Sequence, residues 1–185
     1  MPSGLRYVGW VVTAAAIALF SVMLFVTWPH LAQLAGGGAI FDLRPLGYDF
    51  RTAQDLLARL GPDGAAYYED VQHRIDSIFA ILFCLALLYW LIEAARRWQG
   101  YELPLSHTAL AAILATAVIA NAADLGENAA VSVMLTAGAK WLTPAMVDTA
   151  SLFTLLRTFF LALSLLCLLV LALGPWVARL MPHRK

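Results

Sequence analysis

Four apolar runs dominate the chain, and each is long enough to cross a lipid bilayer. They lie at about 7–28, 75–96, 105–137 and 144–173. Because a helix rises about 1.5 Å per residue, about 20 apolar residues cover a hydrocarbon core of about 30 Å. The chain has 185 residues, 62% hydrophobic and 13% charged, against about 25% charged in a soluble domain. The sequence therefore predicts an all-α integral membrane protein, a four-helix transmembrane bundle with up-down-up-down order, and a single transmembrane domain over 1–185.

The predicted outer loop, 29–74, differs in charge from the other segments between the runs. It carries six acidic residues and four arginines. The basic residues near the other ends of the runs are Arg6, Arg96, Arg97, Arg179, Arg184 and Lys185. Loops rich in Lys and Arg stay on the cytoplasmic side. This pattern predicts a multi-pass protein with the loop outside and both termini cytoplasmic.

Within this loop, 51–60 has the pattern of a short amphipathic helix. One side carries Ala53, Leu56, Leu57 and Leu60, and the other side is polar. The Gly-Pro pair at 61–62 is a stop signal for a helix. Three interpretations remain open: the helix lies on the membrane face, caps the mouth of the bundle, or is a solvated helix that only covers the spans.

Proline and glycine mark the other predicted helix ends. The third span is expected to begin at 104–105 and to run towards Gly138, and the fourth to begin at 143–144 and to end at 174–175. The second span, whose helix starts outside the hydrocarbon, is followed by a short link at 98–103. Short links join antiparallel neighbours.

The third span contains an unusual concentration of polar residues for a membrane helix. Asn121, Asp124 and Asn128 fall on one helical face, Glu127 lies on its flank, and Ser132 follows one turn later. One ionisable residue at the bilayer centre costs about 2.5 to 3.5 kcal/mol on insertion scales. Two acids on one span therefore indicate a partner, water or a function.

Helix geometry predicts that polar residues of all four spans share one depth. Asp124 and Arg157 lie equally far from the turn between spans three and four, so they are expected to pair, and Asp76 of span two reaches the same height. The predicted polar layer contains Thr27, His30, Gln72, His73, Asp76, Asn121, Asp124, Glu127, Asn128 and Arg157. Three acids and one arginine leave surplus negative charge, which a proton, a cation or water must balance.

The predicted ligand-binding residues are Asp76, Asp124, Glu127, Asn128, Arg157, Gln72, Asn121 and Tyr68. The alternative is that Asp124 and Arg157 form only a structural ion pair. A metal site at His73, Asp76 and Glu127 is a weaker hypothesis, because the Glu-x-x-His pairs of di-iron bundles are absent from the sequence. No nucleotide-binding or haem-binding motif occurs, so we expect no cofactor and assign no catalytic residue.

Several short motifs resemble a family of small four-span bacterial membrane proteins without an established function. The resemblance is carried by Phe41-Asp42-x-Arg44-Pro45-x-Gly47-Tyr48, by Tyr68, Gln72 and Asp76, and by Asp124-x-x-Glu127-Asn128. It implies a bacterial inner-membrane protein and no particular activity. Apolar residues occupy the positions of His73 and Arg74 in that family, which argues against a role for His73.

Three classes of function fit these observations. The first is a lipid-binding, small-ligand-binding or accessory membrane protein whose polar cavity opens to the outer face. The second is a membrane-embedded enzyme that uses paired carboxylates on a lipid or small substrate, and the third is a small proton- or cation-coupled transporter. The expected partners are membrane lipids and a membrane-protein partner or second copy. A net charge of zero argues against nucleic acid.

Overall fold

The computed structural model describes residues 3–100 and 105–180, and within these ranges the regular structure is helical, without strands. The α-helices are α1 (Ser3–Val22), α2 (Trp28–Leu34), α3 (Phe50–Tyr67), α4 (His73–Gln99), α5 (His107–Trp141) and α6 (Pro144–Leu180). Single π-helical segments, Met23–Thr27 and Tyr68–Gln72, join α1 to α2 and α3 to α4. The all-α prediction is confirmed for the described residues.

Four continuous helical segments are long and apolar enough to cross a membrane. They are Gly4–Leu34, Phe50–Gln99, His107–Trp141 and Pro144–Val177. This supports the predicted multi-pass membrane protein. The helix of the first segment continues past Trp28, where the outer loop was expected to begin. Pro29 directly follows the π-helical segment Met23–Thr27, and the chain stays helical through it although proline cannot donate an amide hydrogen bond.

The amphipathic helix predicted at 51–60 is present as the first part of α3. The Asp49 side chain accepts a hydrogen bond from the Thr52 amide at 2.8 Å and caps its start. Gly61 interrupts the helix with φ of 59°. The helix resumes at Pro62, so the expected break at 61–62 is a kink within one helical segment that continues into α4.

Two helix ends differ in position from the expected ends of the spans. The third span was expected to start at 104–105, but α5 begins at His107, where Ser106 accepts a hydrogen bond from the Ala109 amide at 3.1 Å. The fourth span was expected to end at 174–175, but α6 continues through Pro175. A side chain at Gly174 would collide with the Trp98 indole, so this glycine permits close packing.

Other boundaries agree with the sequence. Gly138, with φ of 62°, ends the regular part of α5, and the Thr143 hydroxyl accepts a hydrogen bond from the Met146 amide at 3.4 Å at the start of α6. Residues 101–103 of the predicted link at 98–103, and Arg184 and Lys185 of the basic tail, lie outside the described residues.

The long helices pack unevenly. α5 packs against α6 and α4, and α4 packs against α1 and α6, whereas α1 and α6 make little contact with each other. Gly126 allows a close approach of α5 and α6, because a Cβ atom there would lie 2.6 Å from the Phe153 ring. The sparse contact between α1 and α6 leaves an opening between these two helices.

The apolar face of α3 covers one end of the long helices. Ala53 and Leu56 are completely buried, and Leu57 and Leu60 are nearly so. These side chains belong to a core that includes residues of α5 and α6, namely Val131, Met134, Leu135, Val147 and Ala150. Among the three interpretations of this helix, the burial of its apolar face favours the cap.

Candidate functional site

Arg157 of α6 contacts two carboxylates of α5. Its Nη1 donates a hydrogen bond to Asp124 Oδ1 at 3.0 Å, and its Nε lies 3.1 Å from Glu127 Oε2. The second contact is an ion pair whose angle does not make a hydrogen bond. Thr154 donates a hydrogen bond to Glu127 Oε1 at 2.8 Å. We call Asp124, Glu127, Thr154 and Arg157 the Arg157 cluster.

The geometry of this cluster follows from spacing on two helices. Asp124 and Glu127 are three residues apart, so both lie on the face of α5 that packs against α6. The Asp124–Arg157 contact expected from equal heights is present. Glu127 was expected to find no base, but it shares the guanidinium with Asp124. One positive charge therefore serves two buried carboxylates.

Asp76 of α4 is held against α5 by an amide. Its Oδ2 accepts a hydrogen bond from Asn128 Nδ2 at 2.6 Å, and the two residues are 6% and 8% exposed. Within the described part of the chain, Asp76 Oδ1 accepts no hydrogen bond. This carboxylate is thus only half satisfied by the protein.

Asp42 is a central acceptor that the sequence analysis did not place in the polar layer. Tyr68 donates to its Oδ1 at 2.6 Å, while Gln72 and Trp28 donate to its Oδ2 at 2.6 and 3.1 Å. Three donors from two helical segments, α2 and the π-helical segment Tyr68–Gln72, thus fix one carboxylate of the loop. The feature of the sequence that could have pointed to Asp42 is its place in the run Phe41–Tyr48, which carried the family resemblance.

The loop after Asp42 lies over the Arg157 cluster. The Tyr48 amide donates to Ser151 Oγ at 3.1 Å, and Thr158 donates to the Pro45 carbonyl at 2.9 Å. The Tyr48 hydroxyl is buried, and no group in the described part of the chain forms a hydrogen bond with it. Burial raises the pKa of Tyr48, and Glu127 and Asp42 raise it further, so the phenol stays neutral. Tyr48 therefore adds no charge beside the cluster.

A cavity of about 690 Å³ lies among α1, α4, α5 and α6. Its polar end is formed by Asp42, Asp76, Asn121, Asp124 and Arg157. The rest of its lining is mainly apolar and includes Ala16, Phe20, Phe79, Phe83, Leu161 and Leu165. We call this cavity the groove. Its volume falls within the range of about 300–1,000 Å³ that is usual for small-molecule sites.

The predicted site residues divide into two groups. Asp76, Asn121, Asp124 and Arg157 line the groove. The others are buried beside it and support the lining through hydrogen bonds or ion pairs; they are Glu127, Asn128, Gln72 and Tyr68. Two members of the predicted layer lie apart from the groove lining: Thr27, which bonds to Gln72, and His30, whose ring packs against Tyr67.

His73 lies in a separate small network. Its Nδ1 is 3.2 Å from both Glu69 Oε2 and Ser132 Oγ, and its buried Nε2 has no hydrogen-bond partner in the described residues. A catalytic Ser-His-acid triad needs the serine and the acid on opposite ring nitrogens. Both contacts use one nitrogen here, so the geometry is not that of a triad. The residues that the structure describes contain no group of three or more His, Cys, Asp or Glu side chains suited to a metal ion.

The groove is thus an apolar cavity with one polar, acid-rich end, fixed by hydrogen bonds among side chains of the four long helical segments and one loop. No protein-family model, no curated protein and no solved structure matches this chain.

Proposed function

We propose that the protein is a multi-pass membrane protein that binds a membrane lipid or a similar amphipathic ligand in the groove. The observation that carries this proposal is the continuity of one cavity from an apolar wall to the polar end at Asp76, Asp124 and Arg157. An acyl chain along the wall would bury apolar surface at about 25 cal/mol per Å². The headgroup would meet the carboxylates, the guanidinium and the Asn121 amide.

The arrangement of the helices supports access from the bilayer. Since α1 and α6 make little contact, a ligand can enter between them without leaving the hydrocarbon. Cross-helix contacts support the proposed up-down-up-down order. Along α4 and α5, Asp76 meets Asn128 and Cys84 meets Ala117, so the residue numbers run in opposite directions.

The proposed setting is a bacterial inner membrane with both termini cytoplasmic. The charge asymmetry between the loop at 29–74 and the basic residues elsewhere supports this orientation, and the family resemblance supports the membrane. The polar end of the groove then faces the outer side, beneath the cap formed by α3. Lipid is the partner that the groove best fits, and the exposed apolar helix faces are suited to bilayer lipid or a second copy.

An enzyme is the second candidate. Asp76 and Asp124 line the same cavity, and two carboxylates in different surroundings are suited to general acid–base chemistry. A transporter has less support, because away from the polar end the lining is mainly apolar and offers few groups for a hydrated ion. Binding and catalysis differ in one observable, since only an enzyme changes the mass of the bound lipid.

Filling the groove tests the proposal. Ala162 is an exposed residue of α6 that lines the groove, so Ala162→Trp should block it without disturbing the contacts between helices. We expect native mass spectrometry of the purified protein to show bound lipid and the variant to lose it by about tenfold. The matched control is Ala172→Trp, which alters an exposed residue of the same helix outside the groove. Equal lipid occupancy in both variants would contradict the proposal, and a lipid of altered mass would favour the enzyme.

A further inference from the structure

The polar end of the groove has more negative than positive charge. Asp42, Asp76 and Asp124 line it, and Arg157 is the one basic residue among its lining residues. The guanidinium is already shared between Asp124 and Glu127. Asp42 is satisfied by three donors, whereas Asp76 receives one hydrogen bond from a neutral amide. The uncompensated charge is therefore concentrated near Asp76.

Two acceptor atoms at this end lack a donor. Asp76 is more than nine-tenths buried and lines the groove, and among the described residues nothing donates to its Oδ1. Asn121 lines the same cavity, and its buried Oδ1 also has no hydrogen-bond partner. A buried acceptor such as Asn121 Oδ1 has lost the hydrogen bond that water would supply, which is unfavourable unless another donor replaces it. A ligand that brings N–H donors to this place would remove that cost.

These two features restrict the chemistry of the headgroup. A primary ammonium supplies three N–H donors and one positive charge, so it matches both the missing donors and the missing charge at this end. A hydroxyl group donates one hydrogen bond but brings no charge. A quaternary ammonium brings charge but has no N–H donor. An anionic headgroup would meet the three lining carboxylates and be repelled.

On the basis of the function proposed above, we infer that the lipid bound in the groove carries a protonated primary amine, which sits between Asp76 and Asn121. The acyl chain follows the apolar wall between α1 and α6. The amine thus supplies the charge and the donors that the polar end lacks. This assignment defines the ligand class as a membrane amphiphile with a primary ammonium headgroup.

Competition among lipids that have identical acyl chains tests whether the groove prefers a primary ammonium headgroup. The purified protein is offered equimolar phosphatidylethanolamine, phosphatidylcholine and phosphatidylglycerol, and the bound species are counted by native mass spectrometry. The first two have the same net charge and differ in the N–H donors. We expect phosphatidylethanolamine to be retained at least about tenfold over each of the others.

Removing the charge of one side chain tests whether Asp76 sets the headgroup preference. In Asp76→Asn the new amide oxygen can still accept from Asn128, but the negative charge is gone. We expect the preference for phosphatidylethanolamine over phosphatidylcholine to fall to less than about threefold, because the variant loses retention of phosphatidylethanolamine more than retention of phosphatidylcholine. The control is Asp148→Asn, an exposed acid of α6 outside the groove, which should keep the full preference.

The outcomes separate the two proposals. If none of the three lipids is retained, the proposed lipid-binding function fails. If all three bind equally, or if phosphatidylcholine or phosphatidylglycerol is preferred, the amine assignment fails while lipid binding stands. Unchanged preference in Asp76→Asn would overturn the role of that carboxylate.

Discussion

Arg157 balances two buried carboxylates with one charge. Its side chain is 19% exposed, and those of Asp124 and Glu127 are 14% and 3% exposed. Breaking a buried ion pair leaves an uncompensated charge in a low-dielectric surrounding, which costs more than the pair contributed. The loss of Arg157 should therefore destabilise the protein more than the loss of either acid.

A double-mutant cycle measures this coupling. We expect Arg157→Leu to lower the free energy of unfolding by about 3–5 kcal/mol and Asp124→Asn by about 1–3 kcal/mol. The double variant should recover at least about 1 kcal/mol relative to the sum. Recovery stays partial because Glu127 still lacks its base. Denaturant or thermal unfolding in detergent gives these values.

An exposed ion pair on the neighbouring segment is the matched control. Arg74 donates to Asp70 at 2.9 Å, and their side chains are 74% and 65% exposed. The cycle of Arg74→Leu and Asp70→Asn should show a coupling of no more than about 0.5 kcal/mol. Simple additivity in the Asp124–Arg157 cycle would mean that this buried contact does not stabilise the fold.

The sequence predicted side-chain contacts that depend on helix geometry and missed those that depend on the loop. Asp124 and Arg157 could be paired because a regular rise assigns each a height. Asp42 could not be placed, since its position depends on the irregular path of 35–49 and on donors far apart in sequence. Glu127 was expected to be without a base because one guanidinium was assigned to one acid.

At the scale of elements, the loop after Asp42 depends on one close approach to α6. Gly47 has φ of 77°, and a Cβ atom there would collide with the Ser151 hydroxyl, which accepts from the Tyr48 amide. Both the backbone conformation and the packing thus require glycine. This contact holds the loop over the Arg157 cluster.

Two glycines of the same loop distinguish the cost of backbone strain from the cost of losing the contact between the loop and α6. Gly37 also has a positive φ, 88°, but a Cβ atom there would meet nothing within 4 Å. We expect Gly37→Ala to cost about 1 kcal/mol from strain alone and Gly47→Ala to cost at least about 2 kcal/mol. Unfolding in detergent measures both. Equal losses would show that the contact with Ser151 does not hold the loop.

The ends of elements were predictable where a glycine takes a positive φ. Gly61 and Gly138 interrupt helices as expected. Pro29 and Pro175 did not end helices, since proline is tolerated inside membrane helices, where local π-helical adjustments such as Met23–Thr27 and neighbouring groups can compensate for the lost hydrogen bond. Close packing against Trp98 explains why position 174 is a glycine. Because Trp98 is far away in the sequence, no local sequence pattern reveals this contact.

At the scale of the whole molecule, the proposed orientation places the polar end of the groove towards the outer side. The basic residues at the opposite helix ends are the observation that supports this proposed orientation. If the orientation were reversed, the groove would take its lipid from the cytoplasmic half of the membrane. The functional hypothesis therefore includes the half of the membrane from which the groove takes its lipid.

Cysteine labelling tests the orientation in spheroplasts with a membrane-impermeant maleimide. The native Cys84 and Cys167 are first replaced by serine. Asp55→Cys places a thiol on the exposed side of α3, and Gln99→Cys places one at the exposed end of α4. We expect Asp55→Cys to react in intact spheroplasts and Gln99→Cys to react at least about tenfold less until the membrane is permeabilised, because the bilayer excludes the charged reagent.

Labelling of Gln99→Cys alone would indicate the opposite orientation. Labelling of both from outside would contradict the crossing of the membrane by α4 and with it the position of Asp76 at the polar end of a membrane groove.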